Sequence, residues 1–379
     1  MPRYLAPFRA FLASRVAAPP RPARRGPTQP DATTPHTRPL TDGSAVVIYC
    51  RGVRVLIDSD GGIDDAVALW WAVTNPAIDV VGITTVWGNV DVELATANVL
   101  RVLEAAGRSD IPVAVGAGRA VGPGPITRPA DFVHGTDGLG NTGRPPATAG
   151  NLVDLEALWS GPGSTADTLI SLGPLSTVAD GLRRGLIAPA QLRLVTMGGA
   201  FVSPGNALPV SEANMAHDPS AASEVLQAGW SDAPLLVGLD VSHRATFHSA
   251  ETALVEARGN DAASWLADPL AFYRAGGSGF VPEGESPCHD LLATMAAVLP
   301  DLVSATLLPV AVQCDPGPAW GMTVADRRGL VRRVDPNAIE HQSTPQGFAP
   351  VQVALEVDVE QFRAEVRRLF GEPTAIRQR

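Results

Sequence analysis

The chain has 379 residues, 45% of them hydrophobic, enough for one large α/β domain or two smaller ones with a sizeable core. Its 39 acidic residues outnumber 29 basic ones, all arginine, and the net charge of −10 makes nucleic acid and anionic membrane poor partners. Three cysteines (Cys50, Cys288, Cys314) lack metal-ligand spacing and secreted-scaffold density, which points to a reduced, cytoplasmic setting; apolar stretches such as Leu291 to Pro300 fall short of the ~20 residues of a bilayer span.

Residues 1–43 stand apart, with nine prolines, seven arginines and two acids, a local charge of +5 that leaves −15 for the rest. Such a segment cannot bury enough apolar surface to fold, so it reads as a disordered tail ahead of one folded domain, 44–379. Arg9 and Arg15 interrupt the apolar run that a signal peptide would need.

From about Ala45 strands and helices alternate. The apolar run 53–57 predicts a buried strand, and it opens into four carboxylates within eight residues: Asp58, Asp60, Asp64 and Asp65, broken by Gly61 and Gly62. Like charges crowded at a strand-to-helix turn repel one another unless a positive charge sits among them, and a hard divalent cation takes oxygen ligands. Helix capping would explain Asp64 or Asp65 alone, not Asp58 and Asp60 at the end of a hydrophobic strand. A helix from Asp64 should stop near Asn75-Pro76, where proline bars continuation.

Next comes a strand over 78–86, then a helix capped by Asp91 and ended by Gly107, then a short strand at 112–115. Further strands are expected at 168–172, 192–197 and 235–239, with helices between them and another helix beginning near Leu291. The alternation predicts an α/β fold, doubly wound around a mostly parallel (mixed) central sheet, which binds ligands beyond the carboxyl ends of its strands. Polar clusters fall at those ends: Trp87-Gly88-Asn89, Gly173 to Ser176, Gly198-Gly199 with Asn206, Glu212, Asn214 and Asp218, then Asp240 with His243, and later Cys288-His289-Asp290. Their succession predicts a single pocket rim.

These motifs resemble the inosine-uridine-preferring nucleoside hydrolase family over roughly residues 53–370. The Asp58–Asp65 turn, Thr84 to Asn89, His134 to Gly140, Met197 to Asn214, Gly238 to His243, and His289-Asp290 follow one another in the family's order. The resemblance implies calcium-dependent hydrolysis of ribonucleosides to ribose and free base, in a homodimer or homotetramer. It implies a Ca²⁺ site from Asp60, Asp65, Asp290 and the Leu172 carbonyl, with a water oriented by the ion and Asp60 accepting its proton. Asp64, Asn89, Asn206, Glu212 and Asn214 would hold the ribose, and His134 would approach on a closing loop. His289 matches the position proposed as acid for the departing base. Phe272-Tyr273 resembles aromatic lid residues, while His217 and His243 are assigned to structure. Three departures from the pattern — Ala213 where many relatives carry an aromatic, the bulky Trp87, and a more distant Asn206 — leave the base preference open.

Other classes compete for the acidic turn. A haloacid-dehalogenase-like phosphatase, with Asp58 as nucleophile and Asp60 as acid, needs a lysine beside its aspartyl-phosphate, and this chain has none; a receiver domain fails the same way. An EF-hand starting at Asp58 fails on Gly62, Ile63 and Leu69. A binding protein without turnover remains as the alternative, against which stands the joint presence of Asp60, Asp65, Asn214, His289 and Asp290.

Overall fold

The computed structural model describes residues 52–124, 130–257, 262–276, 281–328 and 345–371; the expected tail and Cys50 lie outside them. β1 (Val53–Ser59) is apolar on both faces, as a strand covered on both sides must be, and becomes fully buried from Val55 onward. α1 (Ile63–Thr74) follows and ends at Asn75, whose side-chain oxygen accepts from the Ala77 amide as Pro76 turns the chain. β2 (Ile78–Thr85) leads to α2 (Val92–Ala105), where the Asp91 carboxylate accepts from the Leu94 amide; the chain then leaves the helix through Gly107 at φ +69°. β3 (Pro112–Val115), the single turn α3 (Asp131–His134), β4 (Asn151–Leu152) and α4 (Leu155–Ser160) complete this half.

The second half starts with β5 (Thr168–Ser171) and α5 (Ser176–Arg183), then β6 (Arg193–Met197), α6 (Ala213–His217) and α7 (Pro219–Leu226). β7 (Leu235–Val237) is shorter than the expected strand, because the chain turns at Gly238 into α8 (Leu239–Ser242). β8 (Thr246–Phe247), α9 (Ser249–Ala257), α10 (Ala267–Gly276) and β9 (Ser286–Pro287) precede α11 (His289–Val298), which starts two residues before the expected Leu291. The chain closes with β10 (Val303–Val312), β11 (Thr323–Ala325), β12 (Ala349–Val357) and α12 (Val359–Gly371).

Ten strands form one sheet in the order β11-β10-β12-β7-β6-β5-β1-β2-β3-β4. Strands β4 through β12 along that row are parallel to their neighbours, and β10 runs antiparallel to both β12 and β11, so the sheet is mixed. Register sets the two faces. Leu56, Leu169 and Leu194 stand in one row and pack with Trp159, Val178 and Val225, whereas Ile57, Ile170 and Val195 face the other way. α1 packs against α2 and α11, and α11 also covers β5, β6 and β7.

From β1 the chain winds outward through β2 to β4, then returns beside β1 at β5 and winds the other way. The gap between the ends of β1 and β5 is therefore the topological switch point, where two diverging loops leave a crevice. The four-carboxylate turn opens at that point.

Candidate active site

The turn after β1 is shaped by its own backbone. Ser59 Oγ donates to Asp65 Oδ1 at 2.6 Å and the Asp60 amide to the same oxygen at 3.2 Å, while the Gly62 amide donates to Asp65 Oδ2 at 2.9 Å. Asp65 thus caps α1 from within its first turn and favours the positive end of that helix. Asp60 is gripped from β2: the Asn89 amide donates to Oδ2 and the Asn89 side chain to Oδ1, each at 2.9 Å. Only glycine fits beside that grip, since a Cβ on Gly88 would lie 2.1 Å from Asp60 Oδ2. Thr84 Oγ1 donates to Asp58 at 2.7 Å, and Asn98 reaches from α2 to the carbonyls of Gly61 and Asp137 at 2.9 and 2.8 Å.

α11 brings Asp290 to this turn. Carboxylate oxygens of Asp64, Asp65 and Asp290 lie within 4.8 Å of one another, all three side chains buried. Burial first, then the neighbouring carboxylates, pushes Asp60 and Asp290 well above the usual carboxylate range. Burial also raises Asp58 and Asp64, each to about 8. Asp64 Oδ1 is buried without a hydrogen-bond partner, and among the described residues no arginine pairs with the cluster. Buried carboxylates that cannot ionise together without a positive charge among them suit a hard divalent cation.

The far wall comes from β5 and β6. Asn214 Nδ2 donates to the Leu172 carbonyl at 2.7 Å and to that of Met197 at 3.2 Å. Glu212 caps α6, accepting from the amides of Asn214 (2.8 Å), Met215 (3.1 Å) and Gly199 (3.1 Å), and its burial raises its pKa. Asn206 Oδ1 accepts from the Ala213 amide at 2.9 Å, so the three residues form one braced loop.

Two histidines border the carboxylates. His134, at the end of α3, is buried; its Nδ1 accepts from the Ile63 amide at 3.1 Å and lies 3.8 Å from Asp64. Because Nδ1 accepts, the ring hydrogen sits on Nε2, and burial lowers the pKa to about 4, which keeps the ring neutral. The ring stacks on Tyr273 at 5.5 Å, and the Tyr273 hydroxyl donates to Asp64 Oδ2 at 3.4 Å. His289 lies beside Asp290, its Nδ1 2.7 Å from Ser242 Oγ, and burial lowers its pKa to about 3.

The structure therefore brings Asp60, Asp64, Asp65, Asp290, Asn89 and His134 to one place, with Leu172 and Asn214 bonded to each other beside it. His134 stands against Asp64 already, rather than waiting on a distant loop. Leu172 O, expected as a metal ligand, accepts from Asn214, and Asn89, expected at the ribose, holds Asp60. His217 Nδ1 donates to the Ala213 carbonyl and its ring stands edge-on to Trp87 at 5.2 Å, while its buried Nε2 has no hydrogen-bond partner among the described residues. Sequence reasoning gave no part to Ser59, Asn98 and Ser242, and it named Asp218 only as one of the polar residues at a strand end. Asp218 accepts from Ser176 Oγ at 2.7 Å and the Val121 amide at 2.6 Å, and Ser176 Oγ in turn accepts from Trp87 Nε1 at 3.1 Å. A polar residue inside an apolar run was the available signal for Asn98, and Ser242 lies within the Gly238 to His243 motif, which did not say what its hydroxyl meets.

Residues 55–364 match the family described as inosine-uridine preferring nucleoside hydrolase. The chain is 34% identical over 325 residues to a probable uridine nucleosidase 2 of Oryza sativa subsp. japonica, covering 84% of this chain and 93% of that one. Among solved structures it is similar to a plant nucleoside hydrolase at TM-score 0.72 and 32% identity, covering 84% of this chain and 99% of that chain. A purine-preferring ribonucleoside hydrolase from Gardnerella vaginalis is similar at TM-score 0.71 and 26% identity, with 84% and 98% covered.

Proposed function

The chain belongs to the inosine-uridine preferring nucleoside hydrolase family, an enzyme family that cleaves N-glycosidic bonds, and from that premise we propose calcium-dependent hydrolysis of ribonucleosides to ribose and free base. One observation carries the metal and its place: three buried carboxylates within 4.8 Å of one another at the switch point, with no arginine paired to them among the described residues and with His134 neutral beside Asp64. Asp65 and Asp290, with Asp60 at their edge and the Leu172 carbonyl nearby, are the residues to hold the ion, and Asp64 is the residue to take a ribose hydroxyl. Calcium bound there supplies the charge that lets these carboxylates ionise together and polarises water within its reach.

The chain's own groups do the rest. Asp60, fixed by two bonds from Asn89, accepts the proton of the attacking water as its oxygen bonds the anomeric carbon. The N-glycosidic bond breaks with its electron pair passing to the base, through a transition state of oxocarbenium character. Asn206, Glu212 and Asn214, already braced against one another, hold the sugar so that little ordering remains to be done on binding. His289 and His134 are neutral, so each offers an N–H that hydrogen-bonds the charge developing on the departing base.

Uridine heads the list of substrates, since the rice relative carries that name. A cytoplasmic homodimer or homotetramer, acting on small molecules rather than nucleic acid, completes the proposal; among the described residues no helix is long and apolar enough to cross a membrane. The test is ribose release from a panel of nucleosides, with chelator and with calcium restored. Release lost with chelator and regained with calcium supports the reading; no release from any nucleoside, calcium bound, favours a binding protein instead.

A further inference from the structure

Ser242 is buried completely at the last position of α8, and its hydroxyl lies 2.7 Å from His289 Nδ1. No other hydrogen bond of that hydroxyl occurs among the described residues, so its hydrogen has one acceptor, the Nδ1 lone pair. The reverse arrangement, Nδ1–H donating to Oγ, would leave a buried hydroxyl donor unmade, at a cost of about 1–3 kcal/mol. We infer that Ser242 is the positioning residue that sets the tautomer of His289, holding its hydrogen on Nε2 as the donor presented to the departing base.

Three features keep the two side chains in register. Gly238 lets α8 begin hard against the β6 loop, where a Cβ would meet the Gly199 carbonyl oxygen at 2.4 Å. Beyond α8, β8 pairs antiparallel with β9 (Thr246 opposite Pro287, Phe247 opposite Ser286), and the Cys288 amide donates to the Ala245 carbonyl at 2.9 Å. The start of α11 is thereby stitched to the strand that follows Ser242. The His243 ring meets His289 edge-on, centroids 5.6 Å apart, and opposes its rotation. His289 is fixed at Nδ1, and among the described residues its Nε2 has no protein partner.

The inference rests on His289 assisting the departing base, as proposed above, and its test separates the two. In the calcium-loaded enzyme, ¹⁵N imidazole shifts should show Nδ1 as acceptor and Nε2 protonated; a protonated Nδ1 with bare Nε2 overturns the inference whatever the activity. S242A should lower kcat for uridine about 10–100-fold with KM little changed, as loss of an orienting partner does. It should leave p-nitrophenyl riboside, whose leaving group needs no help, within about 2-fold of the parent. S242T, which restores the hydroxyl, should recover most of the uridine rate. Equal losses on both substrates, or a threonine variant as slow as the alanine one, overturns the positioning role. An H289A enzyme as fast as the parent on uridine breaks the underlying reading; a slow H289A beside a normal S242A breaks only this one.

Discussion

The carboxylate turn after β1 and the histidine at the start of α11 are held in different ways. Asp60 and Asp65 are each held by main-chain and side-chain donors together: the amides of Gly62, Asn89 and Asp60 itself, and the side chains of Ser59 and Asn89. His289 depends on one hydroxyl and on a two-stranded ribbon that joins segments far apart in sequence. The charged half is held by several donors at once, whereas the histidine hangs on a single side-chain hydrogen bond. That contrast assigns losses of metal and of water activation to the carboxylates and the groups that hold them, and losses that depend on the leaving group to the histidine side.

The sharpest way to break the comparison is D60N. It should lower kcat about 10³-fold or more, because the amide neither accepts the water's proton nor attracts the ion, and near-native steady-state turnover would refute the assigned role. D290A comes next: it removes one carboxylate of the cluster, and calcium titration by calorimetry should show affinity weakened at least about 10-fold with folding retained. Unchanged affinity would place the ion elsewhere.

Asn89→Ala should be milder, since the main-chain half of the grip on Asp60 survives. A fall in kcat of about 10-fold, equal for uridine and p-nitrophenyl riboside, would mark it as acting through water activation. A loss confined to uridine would move Asn89 to the leaving-group side.

Stability against pH sharpens the electrostatic half. Asp58 and Asp64 have folded pKa values of about 8, above their unfolded values, so their contribution is full below about pH 4 and is lost as pH rises through 8. His134 and His289, lowered to about 4 and about 3, change stability only below about pH 6.5. Between pH 6.5 and 8, chelated protein should therefore lose roughly 2 kcal/mol per raised carboxylate. Calcium should restore more at pH 8 than at 6.5, and a calcium increment independent of pH in urea unfolding would contradict the charge argument. The smallest effect belongs to Y273F, whose lost bond to Asp64 is 3.4 Å long; a change in kcat/KM of about 3-fold or less is expected.

Much of this molecule was legible before any fold was known. The apolar run ahead of Asp58, the Asn75-Pro76 stop, the Asp91 cap and the Gly107 exit are local signals, and each stands where those signals put it. The shorter β7 was not legible, because only the approach of Gly238 to Gly199 turns Leu239 out of the sheet. The antiparallel β10 was equally hidden, since nothing in its apolar run states its direction.

By itself, then, the amino-acid order determined the parallel α/β architecture and the acidic turn, because strand period, helix caps and charge density are properties of neighbouring residues. Only the tertiary structure decided which atoms meet: Asp290 with Asp65, Asn89 with Asp60, Tyr273 with Asp64, and Ser242 with His289. Those pairings join residues far apart along the chain, and their geometry is set by sheet order, strand register and close backbone approach. None of these is written in any one stretch of sequence.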